Sequence, residues 1–251
     1  MSAILEARGL RKNFGAVSAA ADISVDIAHD SVVGLIGANG AGKTTFINLV
    51  TGYLKPSAGT IRFDGNDITE LAPRRVTQLG VSRSFQIPQL FDTLAVRENL
   101  LAAVGIVAAA AKRWAHGAIT RERTGVVTDE ILERFGLSEY RDKPAGVLPE
   151  GVRKLLDIAM ALVVKPRILL LDEPTSGVSA DEKFGIMDMV MKAVQADRVT
   201  VLFVEHDMEI VNRYAQRVLA FYDGRIIADG GPATVLRDGE VLKYVIGEGT
   251  A

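Results

Sequence analysis

Apolar and polar residues alternate from Ile4 to Gly9 and again from Ile23 to Ile27, the period of half-buried strands, and the two runs predict a small antiparallel sheet. Val32 to Ile36 is instead a short, nearly all-apolar run, which suits a parallel strand covered on both faces, and it leads straight into a glycine-rich turn. Thr45 to Leu54 has helical spacing. A turn at Pro56, Ser57 and Gly59 then precedes a strand at Thr60 to Phe63 and an Asp64-Gly65 turn. Residues 91 to 160 change character, being rich in Ala, Leu, Glu and Arg at helical periods. Strand and helix alternate once more at Ile168 to Leu171, Asp181 to Ala196 and Val199 to Val204, each strand ending in polar residues. The pattern predicts an α/β protein in which a helical lobe, 91–160, is inserted into an α/β core formed by 1–90 and 161–251, all within one domain. Ligands of open parallel sheets bind beyond the carboxyl ends of the strands, so the chemistry is expected there.

The longest apolar run, Leu100 to Ala111, has 12 residues, against the ~20 that a membrane-crossing helix needs, and is expected to be a buried helix of the core. Glu6, Arg8, Arg11 and Lys12 interrupt the first residues, so a signal peptide is not expected and the chain should stay in the cytosol. Across 251 residues, 29 Lys and Arg face 31 Asp and Glu. That balance lacks the basic footprint of a nucleic-acid binder, and nucleic acid is not an expected partner. With no cysteine, disulfide frameworks and thiol-based metal or redox sites are excluded.

Candidate chemistry begins at Gly37-Ala38-Asn39-Gly40-Ala41-Gly42-Lys43-Thr44, followed by Thr45. A glycine, four residues and Gly-Lys-Thr, set between a strand and a helix, form a P-loop pattern. The glycines let successive backbone amides point inward at phosphate oxygens, and the helix N-terminus adds positive partial charge. Lys43 would reach the β and γ phosphates of ATP and the Thr44 hydroxyl would bind Mg2+. The second element is Ile168 to Pro174, in which a buried strand delivers Asp172 and Glu173 to its end. Asp172 can hold the magnesium, while Glu173 can orient or deprotonate the attacking water.

With these and further motifs in order from about Leu5 to Val235, the sequence resembles the ATP-binding-cassette ATPases. The resemblance implies a P-loop NTPase core with a small antiparallel β subdomain and an inserted helical subdomain, and ATP hydrolysis coupled to transport. It also implies that Gln86 senses magnesium and the attacking water, that His206 is the switch histidine at the γ phosphate, and that Phe14 stacks on adenine. Phe221 to Gly230 looks like the family's terminal hairpin, with Asp223-Gly224 as its turn. Ser82 to Phe91, Val96 to Leu100, a long loop around 105 to 125 and Glu205 to Met208 resemble importers of branched-chain or other hydrophobic amino acids. Similar stretches occur in ATPases for urea, amides or lipopolysaccharide. The partners so implied are transmembrane permease subunits, a second ATPase subunit or a second copy of this chain, and indirectly a periplasmic or extracellular binding protein. The expected place is the cytoplasmic face of a bacterial inner membrane.

The chain departs from that pattern at the signature, where Leu-Ser-Gly-Gly-Gln is expected and Leu148-Pro149-Glu150-Gly151-Val152 stands. Proline cannot donate the serine's hydrogen bond to the opposite subunit's nucleotide. Proline at the first helical position and glutamate in the first turn should nevertheless keep the helix. An aspartate expected after Ser176-Gly177-Val178 is replaced by Ser179. Both departures fall on elements that serve the partner's nucleotide, which favours a heterodimer of unlike ATPases. A soluble cassette protein and a non-hydrolysing nucleotide-dependent regulator are the alternatives, the second opposed by Glu173.

Overall fold

The computed structural model describes residues 3–84, 88–112 and 121–247. In chain order the elements are strands β1 (Ala3–Phe14), β2 (Val17–Ala28) and β3 (Val32–Gly37), helix α1 (Lys43–Val50), strands β4 (Ala58–Phe63) and β5 (Asn66–Asp67), helix α2 (Pro73–Leu79) and strand β6 (Val81–Arg83). Three helices follow, α3 (Val96–Lys112), α4 (Arg121–Arg134) and α5 (Glu150–Leu162). Then come β7 (Ile168–Asp172), α6 (Ala180–Ala196), β8 (Thr200–Val204), α7 (Met208–Tyr214) and the hairpin β9 (Arg217–Tyr222) and β10 (Arg225–Gly230).

Two sheets result. The antiparallel one has order β2-β1-β4-β5 and the larger one β10-β9-β3-β8-β7-β6, parallel except for the terminal hairpin. Strand alternation assigns each larger-sheet residue to a side. Val33, Leu35, Ile168, Leu170, Leu202 and Val204 join a core with the antiparallel sheet and α1. Val32, Ile36, Leu169, Leu171, Val201 and Phe203 join a second core with α3, α5, α6 and α7. Burial on both faces explains why the parallel strands read as unbroken apolar runs while β1 and β2, with one wet face, alternate.

Parallel register sets the functional end level. Leu35 pairs with Val204 and Asp172 pairs with Val204, so the residues that follow β3, β7 and β8 emerge side by side. The turns at Asp64-Gly65 and Asp223-Gly224 carry positive φ at both positions, 50° and 76°, then 47° and 72°, the geometry that two-residue hairpins require.

Four expectations change in detail. The helix after the glycine-rich turn starts earlier and is shorter than Thr45 to Leu54, because the chain leaves the helix at Thr51 and turns at Gly52, φ 76°. The Leu100 to Ala111 run is helical, and among its described side chains a stripe is buried: Val96, Leu100 and Val104, four residues apart, face the core, whereas Ile106 is 69% exposed. Residues 105–112 and 121–125 are helical rather than loop, as their Ala, Lys, Glu and Arg content favours. Pro149 is the residue before α5, φ −55° and ψ 149°, rather than its first helical position, and Glu150 takes that position. The helix forms as expected. Among the described residues no helix is long and apolar enough to cross a membrane.

Candidate functional site

The turn after β3 is shaped by two glycines, Gly37 and Gly42, whose positions leave no room for a Cβ. A Cβ on Gly37 would lie 2.5 Å from the Phe221 carbonyl oxygen, and one on Gly42, at φ 107°, 2.8 Å from the Ala19 carbonyl oxygen. The backbone therefore winds tightly between β9 and β2 before α1 begins. Gly37, Ala41, Gly42 and Lys43 are buried, whereas Ala38, Asn39, Gly40 and Thr44 are exposed and Thr45 is half-buried. Lys43 bends into the curl it helps to form. Its ammonium donates to the carbonyl of Gly37 at 2.5 Å and to that of Ala38 at 3.0 Å. Burial lowers its pKa, against the opposing pull of Glu173 and Asp172. A desolvated cation with only neutral oxygens as direct acceptors has a strong drive toward an anion.

Asp172 ends β7 buried, and its Oδ2 accepts from Nη2 of Arg83 at 2.6 Å. Nη1 of the same guanidinium donates to Oδ1 of Asn48 at 2.6 Å, so one side chain ties β6 and α1 to the end of β7. Sequence reading missed this link because its members lie 35 and 89 residues apart.

Glu173 occupies the left-handed region, φ 51°, uncommon for a residue with a long side chain. Its N–H donates to the Val204 carbonyl at 3.0 Å and its own carbonyl accepts from Nζ of Lys154 at 2.7 Å. The kink aims the carboxylate across to β8, where Oε1 lies 3.0 Å from Nε2 of His206.

His206 is fixed from both sides. Before it, the buried Glu205 carboxylate accepts from the amide and hydroxyl of Thr175 at 3.0 and 2.6 Å, and from the His206 amide at 3.2 Å. After it, Asp207 caps α7 by accepting from the amides of Glu209 and Ile210, and pairs with Lys183 at 2.5 Å. Burial works against ionisation of Asp207, yet Lys183 and those amides hold its carboxyl below the usual range. The cleft in front, about 350 Å3, is lined by Glu173, Thr175, Val178, Lys183 and His206 among others.

Phe14 ends β1 with its ring 49% exposed and the Lys12 ammonium 5.4 Å from the ring centroid; it is a surface aromatic and not part of the core. Gln86 lies outside the described residues.

At the altered signature, Leu148 is buried in the core and Glu150 is half exposed, its carboxylate 3.9 Å from Nε of Arg153. Gly151 approaches α6 so closely that a Cβ would meet Cδ1 of Ile186 at 2.9 Å. Ser179 precedes α6 and its hydroxyl donates to Glu182 at 2.8 Å.

The sequence profile of the family described as ABC transporter matches residues 20–176. The chain belongs to the ABC transporter family. It is 35% identical to the high-affinity branched-chain amino acid transport ATP-binding protein BraF of Pseudomonas aeruginosa, over 98% of each chain. It is 32% identical to the corresponding protein LivG of Escherichia coli, again over 98% of each. Among solved structures, the ADP conformation of MJ1267, an ATP-binding cassette of an ABC transporter, matches with a TM-score of 0.85 at 32% identity, covering 97% of this chain and 98% of that one. As an ABC ATP-binding protein the chain is an ATPase coupled to transport, of the kind that dimerises and works with transmembrane permeases. The expected fold and family are borne out.

Proposed function

We propose that this ATPase energises import of branched-chain or other hydrophobic amino acids from the cytoplasmic face of the inner membrane, as one half of an unequal pair of ATPases. The cargo rests on the relatives named for branched-chain amino acid transport, which match over nearly the whole chain. The inequality rests on Pro149 and Glu150 at the head of α5. Transmembrane permease subunits and, indirectly, an external binding protein complete the assembly. Residues 91–160 form the helical subdomain that presents the altered signature.

In this reading Gly37 to Thr45 hold the phosphates and Phe14 stacks on the adenine. Lys43 exchanges the carbonyls of Gly37 and Ala38 for phosphate oxygens, gaining charge-assisted hydrogen bonds. Asp172, Thr44 and Gln86 would hold Mg2+. The residues present fit this, since Asp172 directs one oxygen to Arg83 and Thr44 is exposed beside the phosphate loop, oxygen donors of the kind magnesium takes. The cation supplies neutralisation of the phosphate charge. Glu173 orients the attacking water and takes its proton as the new phosphorus–oxygen bond forms and the bond to the bridging oxygen breaks. His206, steadied by Glu205 and Asp207, holds the transferred phosphoryl group in line.

Everything that serves this chain's own nucleotide is thus present, while the signature offered to the opposite nucleotide has lost the serine and glutamine and gained a carboxylate. The test is steady-state ATP hydrolysis by the purified chain alone, beside a variant with P149S, E150G and V152Q. The chain alone is expected to turn over slowly and the variant at least tenfold faster. Full-rate hydrolysis by the unaltered chain alone would overturn the inequality.

A further inference from the structure

Lys154 lies one helical turn below Glu150 on α5 and is only 4% exposed. A buried lysine needs a reason, since an unpaired ammonium is strongly disfavoured in an apolar setting. Nζ donates to the backbone carbonyl of Glu173 at 2.7 Å, and four carboxylates, those of Glu150, Glu205, Glu173 and Asp157, act on it electrostatically. Burial lowers its pKa against that field.

Glu173 is the residue whose backbone most needs holding. At φ 51° a glutamate pays a steric penalty that a glycine would not. Its backbone is pinned on both sides, through its N–H by Val204 of β8 and through its carbonyl by Lys154 at 2.7 Å and, at 3.2 Å, by the Ser176 amide. Remove the Lys154 donor and only the longer Ser176 contact holds the carbonyl, so the chain can relax toward ordinary φ, swinging the carboxylate away from His206.

We propose that Lys154 is a positioning residue for hydrolysis: from inside α5 it holds the Glu173 peptide in its left-handed turn and so sets where the Glu173 carboxylate stands. It acts through Glu173 and touches no reacting atom. Because Lys154 and Glu150 share one face of the same helix, a displacement of the signature end of α5 reaches the Glu173 carbonyl through the Lys154 hydrogen bond. The inference rests on the reading of Glu173 as the residue that activates water.

The experiment compares Lys154→Met, which keeps the stem and removes the donor, with Lys154→Gln, which restores a neutral donor. ATP hydrolysis is measured in the assembly with the partner ATPase and permease, with Glu173→Gln alongside. The Met variant is expected to lose about tenfold to a hundredfold in kcat, the scale of a charge-assisted hydrogen bond, with KM for ATP within about twofold of the original. The Gln variant should recover most of that loss. Amide hydrogen exchange across residues 172–176 of the purified chain supplies a readout independent of activity: faster exchange in the Met variant, and restoration in the Gln variant, are expected. An inactive Glu173→Gln beside a Lys154→Met with unchanged kcat and unchanged exchange would overturn this inference while leaving the role of Glu173 intact. Undiminished hydrolysis by Glu173→Gln would instead remove its foundation.

Discussion

Oε1 of Glu173 and Nε2 of His206 meet at 3.0 Å although 33 residues separate them. The contact follows from sheet register. β7 and β8 are neighbouring parallel strands with Asp172 opposite Val204, so the residue after one and the second residue after the other emerge at the same level. Glu173 itself completes the approach, its positive φ turning the side chain toward β8. Such a carboxylate–imidazole pair at the end of a sheet, beside a phosphate-binding turn, is suited to orient a water and a phosphoryl group together.

Phe14 exposes half its ring at the end of β1. Phe14→Ala should weaken ATP binding about tenfold, the scale of one base stacked on an aromatic ring, while Phe14→Tyr leaves it unchanged. GTP should suffer equally, since stacking uses the face of any base. Equilibrium titration with a fluorescent nucleotide, beside a melting curve that stays in place, checks this.

Lys43→Met should abolish most ATP binding yet leave the nucleotide-free chain at least as stable. Burial lowers the Lys43 pKa from its ordinary value of 10.5, so the cost of the buried cation is fully present below the lowered value. It disappears as pH rises from there toward 10.5, because the folded state releases its proton first. The original chain should therefore gain stability relative to Lys43→Met across that alkaline interval. Urea unfolding of both proteins at a series of pH values measures it.

Arg83 and Asp172 form a buried ion pair at 2.6 Å. Arg83→Met leaves the Asp172 carboxylate uncompensated and should destabilise the fold by about 3 kcal/mol. Adding Asp172→Asn removes the orphaned charge and should recover more than half of the loss, a non-additivity that denaturant midpoints of the two variants reveal.

The parts of this protein most legible in its sequence were local. Gly37 to Thr44 carries its own geometry, because Gly37 and Gly42 sit where a Cβ would strike a carbonyl, and the run from Ile168 to Glu173 announces a buried strand that ends in acid. Side-chain pairs made across the sheet were not legible. Arg83 read as part of a family-like stretch, and only the β6–β7 register brings it to Asp172. Glu205 appeared as one letter of a motif ending, whereas the fold makes it the buried acceptor for Thr175 and His206. Lys154 did leave a signal that went unread: it stands four residues before Ile158, in phase with the apolar stripe of α5, where a charge needs a partner. The exposure of Ile106 was hidden for the opposite reason, since a run of apolar residues carries no mark of which side meets solvent.

The central claim is that Glu173 activates the attacking water at the nucleotide site to which this chain contributes the P-loop, Asp172 and Glu173. The most direct test is ATP hydrolysis by the chain assembled with its partner ATPase and permease, measured beside Glu173→Gln at saturating ATP, with bound nucleotide counted in the same samples. A carboxamide keeps the shape of the side chain and cannot take the proton, so hydrolysis is expected to fall by at least a hundredfold while ATP remains bound and unhydrolysed. Hydrolysis at the original rate, or loss of ATP binding in place of loss of turnover, would contradict the account.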